Sequence, residues 1–266
     1  MKRLRKSSVT FQVPLLLLLC LTSACAWFGK HGTYWILNVK ADSAQLDQMV
    51  AQTMTVMKKR CDLLGIHCEV ERFGGDHGSR IKIKILGSVN PEHTKKILLS
   101  QGEDLEMRAV VSPPSPSPVQ TYPTDKEAAA AAGADLDVLP YTETADDKQG
   151  TINRFVVVER TPIITGADVR EAEAAPGYIR DKYQINFTLT PAGAGRFGRW
   201  TGANINHYLA VVLNKQVRSV AYIKGQINDM GQITGKFTKQ QAEDTAMLLM
   251  SGSLPVPIEA IEEGTD

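Results

Sequence analysis

One stretch of this sequence has the residue types and spacing of a phosphate-binding loop. Gly193-Ala-Gly-Arg-Phe-Gly198 matches the pattern G-x-G-x-x-G, in which backbone N–H groups at the start of a helix bind the pyrophosphate of a dinucleotide. That motif should lie in the turn before the helix, but Thr190 and Pro191 already provide an N-cap and a first helical residue. The acid that would bind the ribose is also missing, because no acidic residue follows until Asp229. We therefore do not expect nucleotide binding.

No other catalytic constellation is present in the sequence. It contains no H-E-x-x-H, no G-x-S-x-G and no P-loop pattern, and its five histidines are scattered. The paired acids, such as Asp146-Asp147, stand in polar stretches that are typical of solvated loops. We predict a protein that is not an enzyme and needs no cofactor and no metal.

Two of the four cysteines are candidates for a covalent bridge. Cys61 and Cys68 are separated by six residues with one histidine between them, a spacing that matches no zinc site. In an exported protein, an even pair predicts either a disulfide or two unreacted thiols. A bridge would close a short loop and contribute about 2–3 kcal/mol.

The N-terminus has the order of a secretory signal. Basic residues at positions 2–6 precede an apolar run over 13–21, and small residues follow at 22–26. The apolar run is short for a membrane span, which needs about 20 residues, so a simple membrane anchor is the less favoured alternative. These features predict a signal peptide over residues 1–25.

Two cleavage outcomes are compatible with this signal. Thr22-Ser-Ala-Cys25 resembles a bacterial lipobox, although leucine is usual where Thr22 stands, and it predicts lipidation of Cys25. Ala24-Cys25-Ala26 also satisfies the small-x-small rule of ordinary signal peptidase. We favour the lipoprotein, in which several acyl chains would anchor the protein to a membrane.

The composition indicates a globular body with a substantial core. Hydrophobic residues make up 43% of the chain and charged residues 22%. Removal of the first 24 residues takes away four basic residues and no acidic ones, which leaves a net charge of about −3. A nucleic-acid partner is not expected, because it would require a clustered basic face.

The region 31–111 predicts a small ferredoxin-like base domain. Its elements follow the order β-α-β-β-α-β, which is the signature of that sandwich. The predicted elements are strand 33–40, a helix that ends at Gly65, strands 67–73 and 80–86, a helix that begins at Pro91, and strand 104–111.

A linker is predicted over residues 112–150. Five of the 13 prolines lie within 113–123, and such a run is typical of a stiff extended spacer. An alanine-rich stretch and a polar stretch follow, which we interpret as loops or one weak helix.

The region 151–262 predicts an α+β head domain, so the fold class of the whole chain is α+β. A helix is expected from Thr165 or Gly166 to Ala175, and another after the N-cap at Thr190. A hairpin with its turn at Asn214-Lys215 and a helix over 239–250 follow. Residues 254–262 leave as an extended segment, and its return to the base sheet is the alternative that we do not favour.

Several short motifs occur together in the predicted head and base. The most specific is Gly252-Ser-Leu-Pro-Val-Pro257. The remaining motifs in the head are Ile164-Thr-Gly-Ala-Asp-Val169, Tyr183-Gln-Ile-Asn-Phe-Thr-Leu189, Leu209-Ala-Val-Val-Leu213 and Ile233-Thr-Gly235. In the base, the motifs are Ile85-Leu-Gly-Ser-Val89 and Leu105-Glu-Met-Arg108. Together these motifs resemble the large periplasmic domain of the SecD family, and the resemblance covers roughly residues 33–110 and 152–262.

The sequence also departs from the family pattern. Leu213-Asn214-Lys215 stands where the family usually has Leu-Asp-Gly, and the chain ends at Asp266, where the family would enter membrane helices. Those helices carry the ionisable residues that couple proton flow to movement. We therefore expect that this chain is not by itself a proton-driven motor.

The resemblance implies a role in protein export. We expect a lipid-anchored protein on the periplasmic side of the cell envelope that binds exported or unfolded polypeptides, with membrane subunits of the Sec translocon as further partners. Phe197, Trp200 and Tyr222 are candidate peptide contacts in the head, although core packing is the favoured role of such side chains. The alternative is a structural adaptor that docks on an envelope or translocase complex.

Overall fold

The structure, a computed structural model, describes residues 32–42, 44–75, 78–87, 89–144 and 151–265. Within these ranges the strands are β1 (Gly32–Val39), β2 (His67–Arg72), β3 (Arg80–Leu86), β4 (Leu105–Ala109), β5 (Leu136–Thr144), β6 (Thr151–Glu159), β7 (Ile164–Thr165), β8 (Val169–Pro176), β9 (Tyr183–Leu189), β10 (Tyr208–Leu213), β11 (Gln216–Tyr222), β12 (Met230–Phe237) and β13 (Ile258–Thr265). The helices are α1 (Leu46–Leu64), α2 (Pro91–Leu99), α3 (Asp125–Ala131), α4 (Pro191–Ala203) and α5 (Lys239–Ser251). The predicted signal peptide 1–25, with Cys25, lies outside the described residues. The predicted α+β class is confirmed.

The base consists of one four-stranded sheet covered by two helices. Its strand order is β13-β1-β3-β2, and α1 and α2 pack on one face. The alternation in β1 and β3 places every second side chain toward these helices, among them Trp35, Leu37 and Ile83. We use "base" below for β1 to α2 together with β13.

The fourth strand of the base sheet is not the predicted one. The segment 104–111 was expected to complete the ferredoxin-like sheet, but β4 pairs with β10, and β13 pairs antiparallel with β1 from Thr33↔Thr265 to Val39↔Ile258. The reason lies in β10, an almost wholly apolar strand in the interior of the head sheet. Its backbone N–H and C=O groups are removed from water along both edges, so it needs a partner strand on each side, and β11 and β4 are these partners. The C-terminal segment thus returns to the base, contrary to expectation.

The long helix of the base ends as predicted and is tied to the next strand. Gly65 terminates α1 in the left-handed conformation, with φ of 66°, and β2 begins two residues later. Across this turn the sulfur atoms of Cys61 and Cys68 are joined as a disulfide. The buried half of the pair, Cys61, belongs to the core of the base.

The head contains a six-stranded sheet with the order β6-β5-β11-β10-β4-β7. Alternate residues of β10 enter two different cores: Leu209, Val211 and Leu213 face one, and Ala210 and Val212 face the other. The sheet is therefore buried on both sides around its central strand. We use "head" below for β4 to α5.

The predicted linker 112–150 is largely part of the head. The proline-rich segment is held by backbone hydrogen bonds, with Ser115 N donating to Asn206 O at 2.8 Å and Tyr122 pairing with Phe155 in both directions. Helix α3 follows, capped by the Thr124 side chain, and β5 then enters the sheet between β6 and β11. Proline excludes regular ladder pairing, but it leaves isolated contacts of this kind available.

The second sheet of the head has the order β12-β9-β8, and α5 packs across β8 and β9. Residues 165–175 do not form the predicted helix, because a 3-10 turn at Gly166–Asp168 leads directly into β8. The alanine-rich sequence of β8 favours a helix locally, but pairing with β9 along its whole length overrides that preference.

A buried arginine joins the base to the head. Arg60 of α1 is fully buried, and its guanidinium donates to the carbonyls of Leu98 at 2.8 Å, Ser100 at 2.5 Å and Gly252 at 3.1 Å, and to Ser251 Oγ at 3.2 Å. These acceptors end α2 and α5, where helices leave carbonyl groups without partners. Burial lowers the pKa of Arg60 to about 10, so the side chain remains charged at neutral pH.

Candidate functional site: the head surface and its junction with the base

The glycine motif serves the packing of α4. A Cβ on Gly193 would lie 2.9 Å from Cβ of Asp168, and one on Gly198 would lie 3.2 Å from the Gln226 amide nitrogen. A hydrogen bond also joins α4 to the segment that contains Gln226, because Thr201 Oγ1 accepts from Ile227 N at 2.9 Å. The glycines therefore let α4 approach two neighbouring segments closely, which accounts for the motif without a nucleotide.

Asp168 connects the 3-10 turn to the first residues of α4 through hydrogen bonds. Its carboxylate accepts from Thr165 N at 3.1 Å and from Arg196 Nη2 at 2.5 Å, and its backbone carbonyl accepts from Thr190 N. Burial opposes ionisation of Asp168, but the hydrogen bonds from Arg196 and Thr165 prevail and lower its pKa below the ordinary value. The carboxylate is thus a structural tie between the 3-10 turn and α4.

The three predicted contact residues occupy different environments. Phe197 is 2% exposed and belongs to the head core, so it is not available to a ligand at the surface. Trp200, on the same helix, is half-buried and packs against that core. Tyr222, at the end of β11, is 37% exposed. The structure therefore does not bring the three side chains to one groove, and Tyr222 is the most accessible of them.

Tyr222 belongs to a small surface that we call the aromatic surface, formed by the exposed Ile205 and Tyr222 and the half-buried Tyr208. The two rings lie 6.1 Å apart, and Tyr222 Oη donates to Asn206 Oδ1 at 2.7 Å. Ile205 is 44% exposed. Sequence reasoning missed Tyr208, because a bulge in the hairpin shifts the register by one residue and so sets Tyr222 opposite Tyr208. It also missed Ile205, which lies in the connection between α4 and β10.

A second feature is a cleft of about 440 Å³ where the head meets the base, which we call the junction cleft. Its walls come from the end of α2, the β10–β11 turn, β12 and α5. The turn residue Asn214 has φ of 52° and clamps this region, because its backbone N donates to Asp104 O and its Oδ1 accepts from Asp104 N, both at 2.9 Å. The predicted two-residue turn at Asn214-Lys215 is confirmed.

The junction cleft is lined by two acids, which have different hydrogen-bond partners, and by three cations. Asp244 is buried, and its Oδ1 lies 2.9 Å from His93 Nε2 and accepts from Gln240 at 2.8 Å. Glu103 accepts from the Asn214 amide at 2.5 Å. Burial raises the pKa of Glu103, against the opposing effects of that hydrogen bond and of nearby cations. Three cations line the same cleft: Lys96, Arg218 and Lys236.

Two kinds of feature are absent from the described residues. Among them, no helix is long and apolar enough to cross a membrane. No group of three or more histidine, cysteine, aspartate or glutamate side chains in these ranges could hold a metal ion.

Comparisons with known proteins agree on one family. Residues 140–256 match the family model described as "SecDF, P1 head subdomain". The protein translocase subunit SecD of Koribacter versatilis is 32% identical over 241 residues, which is 89% of this chain and 43% of that protein. The SecD of Aquifex aeolicus is 33% identical over 218 residues, which is 82% of this chain and 39% of that protein.

Most of this chain is thus similar to SecD, and residues 140–256 match the SecDF P1 head. The chain spans less than half the length of these two relatives. A solved structure described as "Structure and function of a membrane component SecDF that enhances protein export" is 25% identical, with a TM-score of 0.58, and the match covers 86% of this chain and 98% of that one. A structure of SecDF in a "Super-membrane-facing form" shares the fold at 24% identity, with a TM-score of 0.62, over 88% of this chain and 30% of that one.

Both surface features lie largely in the part that matches the SecD head. Tyr222, Arg218 and Asp244 fall within residues 140–256, whereas Lys96 and Glu103 lie before them and complete the cleft from the base side. The cleft is therefore built from both parts of the SecD-type domain.

Proposed function

We propose that this SecD-type domain assists protein export on the periplasmic side of the cell envelope by binding extended or unfolded segments of polypeptides in transit. The observation that carries the proposal is the shared fold with the solved SecDF component that enhances protein export, over 98% of that chain and at 25% identity. The relatives named above are translocase subunits, which agrees with this role.

The head offers apolar surface that such a client needs. Ile205 and Tyr222 expose apolar area beside the rim formed by the proline-rich segment, and Tyr208 Oη donates to the Ser117 carbonyl at 2.5 Å. An unfolded polypeptide presents apolar side chains and unpaired backbone groups, and both can be bound weakly by an aromatic cluster of this kind. The contact residue that we retain from the sequence is Tyr222.

The anchoring of the domain is part of the proposal. The strands β1 and β13 pair with Thr33 opposite Thr265, so the first and the last described residues lie at the same edge of the base. Lipidation at Cys25 would attach this edge to a membrane, and membrane subunits of the translocon would be neighbours there. Mass spectrometry of the mature N-terminus tests this, because a terminus without acyl chains would contradict the lipid anchor.

Photo-crosslinking in living cells tests client binding. A photoreactive phenylalanine analogue replaces Tyr222, and the matched control replaces Lys58, which is exposed on α1 of the base. We expect adducts to many newly exported chains from position 222 after a short pulse, and none from position 58. Equal labelling at both positions, or none at position 222, would contradict client binding.

One observation favours the adaptor role as a second candidate. The β8–β9 turn carries Tyr178, which is 87% exposed, and Ile179 beside it. Two apolar side chains at a hairpin tip suit a fixed partner surface. The same crosslinker at Tyr178 tests this, because a single discrete adduct to one folded envelope protein supports the adaptor and a ladder of exported chains does not.

A further inference from the structure

A β-bulge places the side chain of Arg218 in the lining of the junction cleft. Arg218 is the extra residue of a β-bulge in β11, since Val211 pairs with Ser219 and Val212 pairs with Val217. Bulges of this kind re-aim a side chain and are frequent beside functional sites. Arg218 lines the cleft, and its buried Nε has no hydrogen-bond partner.

The acids of the cleft do not supply that partner. Asp244 is engaged with His93 and Gln240, and Glu103 accepts from the Asn214 amide. Arg218 as a whole is half-buried, and its Nε–H is the buried donor. A buried N–H without an acceptor is destabilising, so an arrangement of this kind favours a ligand that brings an acceptor of its own. Lys96, whose Nζ lies 3.9 Å from Asp244 Oδ2, and Lys236 line the same cleft and add two further positive charges.

The balance of charges limits what the ligand can be. Three cations and two acids line the cleft, so its formal net charge is +1 when both acids are ionised. That excess suits one carboxylate better than a polyanion, which the two acids would repel. The apolar residues Ile97, Leu213 and Leu248 form part of the same lining and provide contact for an aliphatic neighbour of the carboxylate.

An edge strand beside the cleft indicates that the ligand is an extended chain. Strand β12 is the outer strand of the β12-β9-β8 sheet, and its residues Gly235 to Phe237 line the cleft. Its pairing with β9 jumps from Ile233↔Ile185 to Phe237↔Tyr183, so residues 234–236 form a second bulge. Edge strands carry backbone donors and acceptors that an extended peptide can pair with.

We propose that the junction cleft binds an extended polypeptide segment through one aspartate or glutamate side chain, with Arg218 as the hydrogen-bond donor and Lys96 and Lys236 as supporting charges. The site is separate from the aromatic surface and gives the domain a preference among segments of equal hydrophobicity. This inference rests on the proposed function, because it names the type of side chain that a client presents.

Peptide binding to the full chain, purified in detergent, tests the proposal. The probes are two short peptides of alternating valine and serine with blocked termini, one with a central glutamate and the other with glutamine in its place. We expect the glutamate peptide to bind about tenfold more tightly by fluorescence anisotropy. Arg218→Gln should abolish this difference. The matched control Arg180→Gln, which removes an exposed arginine elsewhere on the head, should preserve it.

A second variant keeps the test decisive if Arg218→Gln does not fold. Lys96 is 74% exposed and Lys236 is also exposed, so the double change Lys96→Glu with Lys236→Glu leaves the cores intact. We expect it to favour a third peptide with central lysine over the glutamate peptide. Equal binding of the glutamate and glutamine peptides to the unaltered chain, or the absence of peptide binding altogether, would overturn the proposal.

Failure of this inference differs from failure of the proposed function. If exported chains crosslink at Tyr222 but the glutamate and glutamine peptides bind with equal affinity, the cleft proposal is wrong and client binding stands. If the cleft selects the glutamate peptide through Arg218 but no exported chain crosslinks at Tyr222, the site stands and the role in export is wrong.

Discussion

The base and the head are stabilised in different ways. The base has one sheet with helices on one face, and small layers of this kind bury little apolar area. It adds a disulfide, the buried Arg60 and the pairing of both ends of the described chain. The head has two sheets and two cores around β10, and its helices begin at well-formed caps such as Thr190 and Thr238.

The same two parts also differ in what they carry: the base holds the ends of the described chain, and the head holds the candidate binding surfaces. The base gathers the two ends of the described chain at one edge, whereas the head carries the aromatic surface and most of the junction cleft. Arg60 links the two parts, because its acceptors include Ser100 and Gly252, which begin the two connections between base and head. Three variants test this division.

The largest effect is expected for Arg60→Met. The change leaves several buried carbonyl groups at the ends of α2 and α5 without a donor, so the free energy of unfolding should fall by about 3–5 kcal/mol. Urea unfolding measures this. Lys59→Met, an exposed change at the neighbouring position of the same helix, is the control and should cost less than about 1 kcal/mol. Similar losses for the two variants would show that Arg60 is not the link.

An intermediate effect, confined to the base, is expected when the disulfide between Cys61 and Cys68 is removed. Intact-mass analysis with alkylation before and after reduction should first show that Cys61 and Cys68 are paired. Cys61→Ala with Cys68→Ala should then lower the free energy of unfolding by about 2–3 kcal/mol, because the bridge restricts the unfolded chain. Hydrogen exchange should accelerate in α1 and β2 and stay unchanged in β9 and β10. Acceleration throughout the head would contradict the separation of the two parts.

The smallest effect is expected in the head, at Asp168. Its pKa is lowered in the folded state, so the tie to Arg196 contributes stability above about pH 4 and loses that contribution as the pH falls through the folded pKa. Arg196→Gln should therefore reduce stability at neutral pH by less than about 1 kcal/mol, because Arg196 is half exposed.

Thermal unfolding over a pH series measures this dependence. The melting temperature of the variant should depend less on pH below about pH 4 than that of the unaltered protein. Parallel curves for the two proteins would show that another carboxylate causes the acid sensitivity.

Local signals in the sequence predicted most elements of the fold. The Thr190-Pro191 start of α4, the Gly65 end of α1, the Thr238 capping box and the Asn214-Lys215 turn are all confirmed. Each depends on a few neighbouring residues, whose backbone preferences act before any tertiary contact forms.

The errors concern residues whose surroundings come from distant parts of the chain. The alanine-rich stretch of β8 was predicted as a helix, because the sequence does not show that β9 pairs with it. Of the candidate site, Tyr222 was identified from its type, but Arg218 was missed since its role depends on a bulge in the hairpin. Bulges carry little sequence signal here, as neither is marked by a glycine in left-handed conformation.

The sequence by itself determined the α+β class, the order of the elements up to α2, the helix caps and the resemblance to SecD. Only the tertiary structure decided that β13 rather than β4 completes the base sheet, that the proline-rich segment belongs to the head, and that Arg218 lines a cleft. Caps and turns are set by interactions between near neighbours. Strand partners depend on contacts between distant parts of the chain. β10 lies inside the head sheet, so both of its edges need a partner for their backbone hydrogen bonds, and β11 and β4 provide them.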